Sequence, residues 1–322
     1  MAATGNPCRH AGAGKPLKLR QSRGEALADE TQIHMNHDKF LIPPGQTIKL
    51  KDYAPDLTAP YKSKADADEK LQADVAKLSE WQAKLYAQNT FALLIVLQGI
   101  DAAGKDSTIK HVMSGVNPIG CDVKNFKVPS EEEIDHDYMW RYARALPERG
   151  KIGIFNRSYY EEVLVVRVHS ELLARERVPP RGKSEKLWTT RYREINDFER
   201  YLVANGVEVL KFFFHLSKEE QKKRFLSRLD SPDKKWKFSE ADVKERVYWN
   251  DYAAAFEEML NHTSTEEAPW YVIPADHKWY SHVAVADIVI RKLVSLNLDF
   301  PKLNSEQKKG LENAKKLLEN ET

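Results

Sequence analysis

The chain has 322 residues and is 42% hydrophobic, enough to bury the core of one large α/β domain with additions, and its 50 basic and 48 acidic residues leave a net charge of only +2. Cys8 and Cys121 are far apart in sequence and lie in no C-x-x-C or paired-histidine spacing, which argues against a disulfide framework and a structural zinc site. No apolar run approaches the roughly 20 residues of a membrane helix, and the N-terminus lacks the apolar core of a signal peptide, so we expect a cytoplasmic protein without a membrane partner.

The predicted elements start after a polar segment. Residues 1–64 mix glycine, proline and charged residues without periodicity, and we interpret them as a mobile N-terminal leader. Over 65–87, apolar residues recur every three or four positions, which predicts a helix. The apolar run 91–97 is typical of a buried parallel strand, and a helix is predicted over 106–115 after a glycine-bounded loop.

Strands and helices continue to alternate in the rest of the chain. The predicted strands are DVKNFKV (122–128), KIGIF (151–155), VEVLKFFFHL (207–216) and WYVIPAD (270–276), and the predicted helices are 131–146, 184–204, one capped by Ser217 and Glu220, and 280–296. This order predicts an α/β fold with a central parallel sheet, helices on both faces and a ligand site at the carboxyl ends of the strands. The main domain is expected over 65–300, followed by a charged C-terminal tail at 301–322.

The loop GIDAAGK has the G-x-x-x-x-G-K spacing of a phosphate-binding loop between a strand and a helix. Glycines let backbone N–H groups converge on phosphate oxygens, the helix N-terminus adds its positive end, and Lys105 bridges the phosphates. The residues predicted to surround the phosphates are Gly99, Ala102, Ala103, Gly104, Lys105, Asp106, Ser107 and Thr108.

The loop departs from the usual pattern at Asp106, where a Ser or Thr would hold a metal ion. A carboxylate there repels phosphates unless a cation lies between them, and Ser107 or Thr108 can present a hydroxyl one or two positions on. Asp101, inside the loop, is predicted to be a Mg²⁺ ligand. The alternative for Asp101 is a turn-stabilising role.

A second motif, Asn156-Arg157-Ser158, ends the strand predicted at 151–155. Many phosphate-loop enzymes carry a metal-binding Asp at the corresponding strand end. The neutral Asn156 can orient a metal-bound water or coordinate weakly, and Glu161 or Glu162 could supply the missing carboxylate. Arg157 is predicted to face the transferring phosphoryl oxygens, with an ion pair to Glu161 as the alternative.

Residues 217–250 are predicted to form a basic lid. From Lys211 to Arg246 there are eleven Lys and Arg against seven acids, and about half of these bases are expected on a solvated helix face. Arg224 and Arg228 are four positions apart and share a helix face. The adjoining loop DSPDKKWKF could fold over a polyanion and exclude water, which limits the competing hydrolysis.

Four segments in this order, GIDAAGKDSTIKHVMSGVNPIG, FNRSYYEEVLVVRV, RLDSPDKKWKFSEAD and APWYVIPADHKWY, together closely resemble the family-2 polyphosphate kinases over roughly residues 65–296. The resemblance implies a three-layer α/β/α P-loop kinase fold with a helical lid, similar to thymidylate kinases. It also implies reversible phosphoryl transfer between inorganic polyphosphate and a nucleotide, with Mg²⁺ as the cofactor and Mn²⁺ as a substitute.

The resemblance also assigns residues. The family's loop acid and lysine correspond to Asp101 and Lys105, its strand-end motif to Asn156-Arg157, and its lid arginines to Arg224 and Arg228. Most members have Asp at position 156, and Asn there followed by Tyr-Glu-Glu implies the subgroup that phosphorylates both AMP and ADP.

The implied chemistry needs no general base, because a nucleotide phosphate oxygen is already an anion near neutral pH. Position and charge must then supply the rate, so Lys105, Arg157 and Arg224 are predicted to act on the phosphates and Asp101 on the metal, with Arg228 as a further catalytic residue.

The histidines His111, His136 and His169 are accordingly expected to be surface or core residues. The aromatic-rich segment 126–144 is predicted to wall the nucleotide site, with ordinary packing as the alternative. The predicted nucleotide contacts are Asn117, Lys127, Arg141 and Tyr160.

The expected partners are inorganic polyphosphate and adenine nucleotides, with guanine nucleotides as a further possibility, and a second copy of the chain in a dimer or tetramer. An ATP-dependent nucleoside monophosphate kinase is the alternative function, since it would share the fold and the loop. A nucleotide switch or RNA-binding module lacks support because the sequence has neither an N-K-x-D motif nor an aromatic RNA-binding signature, so no nucleic-acid partner is expected.

Overall fold

Five parallel strands form the sheet in the computed structural model, which describes residues 35–176, 178–179, 186–232, 235–237 and 239–321. In chain order these strands are β1 (Ala92–Gln98), β2 (Cys121–Asn125), β3 (Ile152–Asn156), β4 (Val207–His215) and β5 (Trp270–Pro274). They are arranged in the order β2-β3-β1-β4-β5, so β1 lies at the centre between β3 and β4. The carboxyl ends of β1, β3 and β4 therefore meet at one edge of the sheet.

The helices alternate with these strands. Within the described residues they are α1 (Lys64–Gln88), α2 (Lys105–Val112), α3 (Glu131–Ile134), α4 (Trp140–Ala143), α5 (Val165–Val168), α6 (Leu187–Ala204), α7 (Lys218–Asp230), α8 (Glu240–Lys244), α9 (Trp249–Thr263), α10 (Lys278–Ser295) and α11 (Ser305–Glu319). Ser63 and Ser217 cap α1 and α7 by accepting hydrogen bonds from backbone N–H groups three residues on. None of these helices is both long and apolar enough to span a bilayer.

The sheet is covered on both faces. Successive side chains of β1 point to opposite sides, so Leu93 and Ile95 pack in the same cluster as α1, α2 and α10, whereas Leu94 and Val96 pack with α6 and α9. Because both faces of β1 are buried, its sequence is a continuous apolar run. Truncating one of its leucines to alanine is expected to lower the free energy of unfolding by about 2–5 kcal/mol. The predicted three-layer α/β/α arrangement around a central parallel sheet is confirmed.

The N-terminal boundary differs from the prediction. Residues 35–63, assigned to a mobile leader, are ordered against the core, with Phe40 and Ile42 fully or almost fully buried. The Ile42 backbone N–H donates to the Trp270 carbonyl at 2.9 Å, so this segment pairs with the outer side of β5. Residues 1–34 lie outside the described residues.

The helix predicted over 131–146 is broken into α3 and α4. The predicted capping box of Ser130 and Glu133 is present at the start of α3. Asp137 then interrupts the helix because its carboxylate accepts the Met139 backbone N–H at 2.9 Å, an alternative partner to the helical carbonyl. The break leaves room for a cavity beside the ends of β2 and β3.

Candidate active site

The phosphate-binding loop joins β1 to α2 at the carboxyl edge of the sheet. Gly99 has φ +152°, and a Cβ there would lie 3.0 Å from the Phe214 carbonyl oxygen, so the position requires glycine. Gly104 has φ +111°, again in the region that favours glycine. Ala102 adopts φ +65° with a side chain, a conformation that costs about 1–3 kcal/mol and persists only where neighbours hold it.

Helix α7 supplies the contacts that hold the loop. The Arg224 guanidinium donates to the carbonyls of Ala102 and Ala103 at 2.9 and 3.1 Å, and to the Glu220 carboxylate at 3.0 Å. Its remaining donors contact two carbonyls directly after β5 at 2.6 and 3.0 Å. With its N–H groups occupied in this way, Arg224 braces the loop, which corrects the prediction that it faces the transferring phosphoryl group.

Lys105 begins α2, and its ammonium folds back into the loop. Its Nζ donates to the carbonyls of Gly99 and Ile100 at 2.7 and 3.3 Å. Burial, followed by the positive charge of Arg157, lowers the pKa of Lys105 to about 8. The loop therefore holds a desolvated cation, which attracts phosphate more strongly than a hydrated one.

We expect kcat/KM to fall above pH 8, because kcat/KM reports the free enzyme and Lys105 loses its charge as the pH rises through its lowered pKa. The decline should approach about tenfold per pH unit, measured under saturating Mg²⁺. The Lys105→Arg variant keeps its charge in this range, so its decline should be absent even though its overall rate is lower. A wild-type profile that stays flat up to pH 9.5 would contradict this prediction.

Arg157 bridges two carboxylates directly after β3. It adopts φ +64°, and its guanidinium lies 2.5 Å from Oδ1 of Asp101 and 3.0 Å from Oε2 of Glu161. The Glu161 carboxylate raises the pKa of Arg157 against the opposing effect of burial. Arg157 thus forms the ion pair with Glu161 and at the same time contacts Asp101 of the phosphate loop. A phosphate bound here would compete with these two carboxylates for the guanidinium N–H groups.

The two carboxylates fit a role in binding Mg²⁺. Asp101 and Glu161 contact the same guanidinium and line the same small space beside the loop. The described residues contain no group of three or more His, Cys, Asp or Glu side chains arranged as a complete metal site. Mg²⁺ is commonly held by one or two carboxylates together with waters and substrate phosphates, so these residues suit an ion that arrives with the phosphates.

Asn156, the last residue of β3, pairs with the unusual loop residue Asp106. The Asn156 amide donates to Oδ1 of Asp106 at 2.8 Å, and its own Oδ1 is buried with no hydrogen-bond partner among the described residues. In most phosphate-loop enzymes a hydroxyl in the loop and an aspartate at the strand end meet here. In this chain the carboxylate is in the loop and the neutral group is on the strand.

The two hydroxyls that could replace the missing one lie outside the loop. The Ser107 hydroxyl is 3.0 Å from Nε2 of His282 on α10, and the Thr108 hydroxyl donates to the Gly104 carbonyl at 3.2 Å. Both hydroxyls are engaged with protein partners, so a role on the metal would require either of them to exchange that partner.

We expect Asn156→Asp to make the protein strongly dependent on Mg²⁺ for stability. The change would set two carboxylates about 3 Å apart in a partly buried site, where they repel unless one is protonated or a cation lies between them. The thermal midpoint should fall without Mg²⁺ and recover on adding it, by more than the wild-type midpoint changes. Equal Mg²⁺ responses in the two proteins would show that this pair does not approach the metal.

A cavity of about 830 Å³ opens beside Arg157 and Glu161. Its walls include Phe126 and Tyr138 from the predicted aromatic segment. Arg141 lies over the Phe126 ring at 5.2 Å and donates to the Lys127 carbonyl at 2.8 Å. The size and the aromatic walls are those of a small-molecule site of nucleotide dimensions, and most of the lining side chains are polar or charged, as a charged ligand requires.

Two predicted nucleotide contacts lie elsewhere. Tyr160 is completely buried, and its hydroxyl donates to Oε1 of Glu199 at 2.8 Å. Asn117 caps a turn before β2 by accepting the Ile119 N–H at 3.1 Å. Asn117 lies at the amino end of β2, opposite the edge that binds ligands, and the buried Tyr160 is closed to a ligand, so both assignments are corrected.

Helices α7 and α8 of the lid lie beside the phosphate-binding loop. Arg228 on α7 is 4.0 Å from Asp242 on α8, and a small space of about 40 Å³ over the loop is lined partly by Asp242, Glu245 and Arg246. These three residues cannot be recognised from the sequence, because a dense run of charged residues does not show which side chains turn inward. Lys211, counted there with the basic lid, is instead in the core of β4.

A phosphate-binding loop at the end of the central strand of a parallel sheet, with cations and paired carboxylates beside it, defines a P-loop phosphotransferase. A sequence profile described as polyphosphate kinase 2 matches residues 61–300. The chain belongs to this polyphosphate kinase 2 family, and it is therefore a kinase that acts with polyphosphate, as the resemblance implied.

Individual relatives agree with the family assignment. The chain is 48% identical over 276 residues to an ADP-polyphosphate phosphotransferase of Rhodopseudomonas palustris, covering 85% of this chain and 95% of that one. It is 42% identical to an AMP/ADP-polyphosphate phosphotransferase of Meiothermus ruber, covering 84% and 98%. The crystal structure of polyphosphate kinase 2 from Arthrobacter aurescens superposes with a TM-score of 0.76 at 38% identity, covering 84% of this chain and 94% of that one.

Proposed function

We propose that the protein transfers a phosphoryl group from inorganic polyphosphate to AMP and to ADP, forming ADP and ATP in a reversible, Mg²⁺-dependent reaction. The observation that carries the proposal is the position of Arg157, which borders both the phosphate loop and the 830 Å³ cavity. One phosphate chain in the loop and one nucleotide in the cavity would meet at this guanidinium. The relatives named for ADP and for AMP/ADP support both acceptors.

The residues contribute position and charge. Loop N–H groups and Lys105 bind phosphate oxygens, and Arg157 faces the oxygens of the group in transfer. Asp101 and Glu161 would hold Mg²⁺, which when bound neutralises phosphate charge. No side chain has to remove a proton, because the attacking oxygen of the nucleotide is already anionic.

The cavity walls suit a purine nucleotide. Phe126 and Tyr138 line the cavity, and each ring has a guanidinium over it, Arg141 at 5.2 Å and Arg191 at 3.7 Å. Aromatic rings and guanidinium planes stack on any flat base without distinguishing its edge, so we extend the proposal to guanine nucleotides as further acceptors. One relative in Corynebacterium glutamicum is named a putative GDP-polyphosphate phosphotransferase.

The deciding experiment supplies polyphosphate and Mg²⁺ with AMP, ADP or GDP and no ATP, and follows nucleotide products by chromatography. ADP and ATP should form from the adenine acceptors, and omitting polyphosphate or Mg²⁺ should abolish the reaction. No product from AMP or ADP by folded protein would refute the proposal. In a parallel reaction ATP replaces polyphosphate as the donor. Product that forms from AMP only in that reaction would identify a nucleoside monophosphate kinase instead.

The predicted homo-oligomer and the cytoplasmic location are part of the proposal. Light scattering of the purified protein at several concentrations measures the number of copies, and a dimer or tetramer is expected. A monomer at all concentrations would contradict the first expectation.

A further inference from the structure

A fully buried lysine lies in the centre of β4, behind the proposed active site. Lys211 is completely inaccessible, and its Nζ donates to Oε2 of Glu199 at 2.6 Å, to the Thr263 carbonyl at 2.6 Å and to the Tyr160 hydroxyl at 2.8 Å. The three contacts use all three ammonium N–H groups. The charge is therefore paired and fully hydrogen-bonded in an otherwise apolar layer.

Glu199 on α6 completes this buried network. It is also inaccessible, and its Oε1 accepts hydrogen bonds from the hydroxyls of both Tyr159 and Tyr160 at 2.8 Å. The Tyr160 ring packs edge-on against Trp270 at 4.8 Å between centroids. One carboxylate thus anchors two consecutive aromatic side chains.

Stability alone does not account for such a pair. Two charges lose most of their hydration on burial, and replacing a buried ion pair by apolar residues of similar volume is often neutral or stabilising. Both partners here, Lys211 and Glu199, are fully buried. The buried ion pair therefore contributes more by fixing the positions of the side chains bonded to it than by its free energy of folding.

The anchored tyrosines begin two residues after the catalytic candidate Arg157, with Ser158 between. Tyr159 starts a short 3-10 helix, Tyr159–Val163, which also carries Glu161. Arg157 adopts φ +64°, a conformation that an arginine holds only when the residues around it leave no alternative. Fixing the two rings behind the turn holds Arg157 at its start and Glu161 within it.

We infer that the Lys211–Glu199 pair, through Tyr159 and Tyr160, is a positioning device that holds Arg157 and Glu161 toward the phosphates. Neither Lys211 nor Glu199 reaches the substrate, so they are positioning residues. The inference rests on the roles proposed above for Arg157 and Glu161. Loss of the network would let the turn relax while the fold remains.

The first test removes only the two hydroxyls, in a Tyr159→Phe/Tyr160→Phe variant. We expect kcat to fall at least tenfold and the Mg²⁺ concentration for half-maximal rate to rise, with the thermal midpoint still well above the assay temperature. The matched control is Tyr280→Phe, because Tyr280 is equally buried on the other face of the sheet and donates to the Ala59 carbonyl at 2.7 Å. It should lose stability without a change in kcat or Mg²⁺ dependence.

A double-mutant cycle shows whether the network acts through Arg157 and Glu161. In an Arg157→Ala/Glu161→Gln background, removing the hydroxyls of Tyr159 and Tyr160 should lower kcat less than twofold, because both groups that they position are gone. A full tenfold loss in that background would overturn the inference. Wild-type turnover of Arg157→Ala alone would instead refute the role proposed for Arg157, so the two failures are distinguishable.

A second variant tests the charges themselves. The pair Lys211→Met with Glu199→Leu keeps the volume and removes the buried ion pair, and we expect it to fold with kcat lowered at least tenfold. Wild-type kcat and Mg²⁺ dependence in this variant would overturn the inference. Should it fail to fold, the single Tyr160→Phe variant decides: unchanged kcat and Mg²⁺ dependence would overturn the inference equally.

Discussion

Replacing Lys105 with alanine is expected to lower turnover at least a hundredfold. Its ammonium is the buried cation of the phosphate loop, 2.7 Å from the Gly99 carbonyl, and no other lysine begins the helix that follows. Removing one charge directed at the transition state typically costs about 10²–10³ in rate. The measurement is kcat with polyphosphate and ADP under saturating Mg²⁺.

The matched control for this change is Lys110→Ala. Lys110 is on the same helix but exposed, so its truncation should leave kcat within about twofold. A stability measurement on both variants separates loss of folding from loss of the charge. Turnover of Lys105→Ala close to wild type would refute its role in binding the phosphates.

The second large effect is expected for Arg157→Ala, which should also lower turnover at least a hundredfold. The change removes the cation facing the group in transfer and leaves Asp101 and Glu161 without the guanidinium between them. Two unpaired carboxylates attract a divalent cation more strongly. The variant should therefore bind Mg²⁺ at least as tightly as wild type while its chemistry is slow.

Magnesium titration by calorimetry and steady-state kinetics measure the two effects separately. Arg157→Lys should be intermediate, because an ammonium keeps the charge but cannot contact both carboxylates with a planar fork. Arg200→Ala is the matched control, since Arg200 on α6 is mostly exposed and pairs with Asp197. Wild-type turnover in Arg157→Ala would exclude it from the transfer step.

Much of the fold was predictable because it depends on local patterns. The strand-loop-helix unit around GIDAAGK, the caps at Ser130 and Ser217, and the buried strands all follow from residues within a few positions of each other. The predictions that failed depend on contacts between residues far apart in sequence. Tyr160 was predicted to contact the nucleotide because it lies next to a site motif, yet its hydroxyl donates to a carboxylate 39 positions away.

The predicted role of Arg224 on the phosphates was wrong for a similar reason. A basic residue on a lid helix is expected to meet an anion, and only the folded chain shows that its donors go to backbone carbonyls of the loop. Residues 35–63 were also misjudged, because their composition carries no periodicity and their order comes from pairing with β5.

The sequence by itself determined the class of fold, the phosphate loop with its displaced carboxylate, and the motifs typical of the polyphosphate kinase 2 family. Tertiary structure alone decided which side chains meet: Asp101 with Arg157 across 56 positions, and the loop carbonyls with Arg224 across about twice that distance. Local conformation depends on neighbouring residues, whereas a site depends on distances between segments that only the packed sheet brings together.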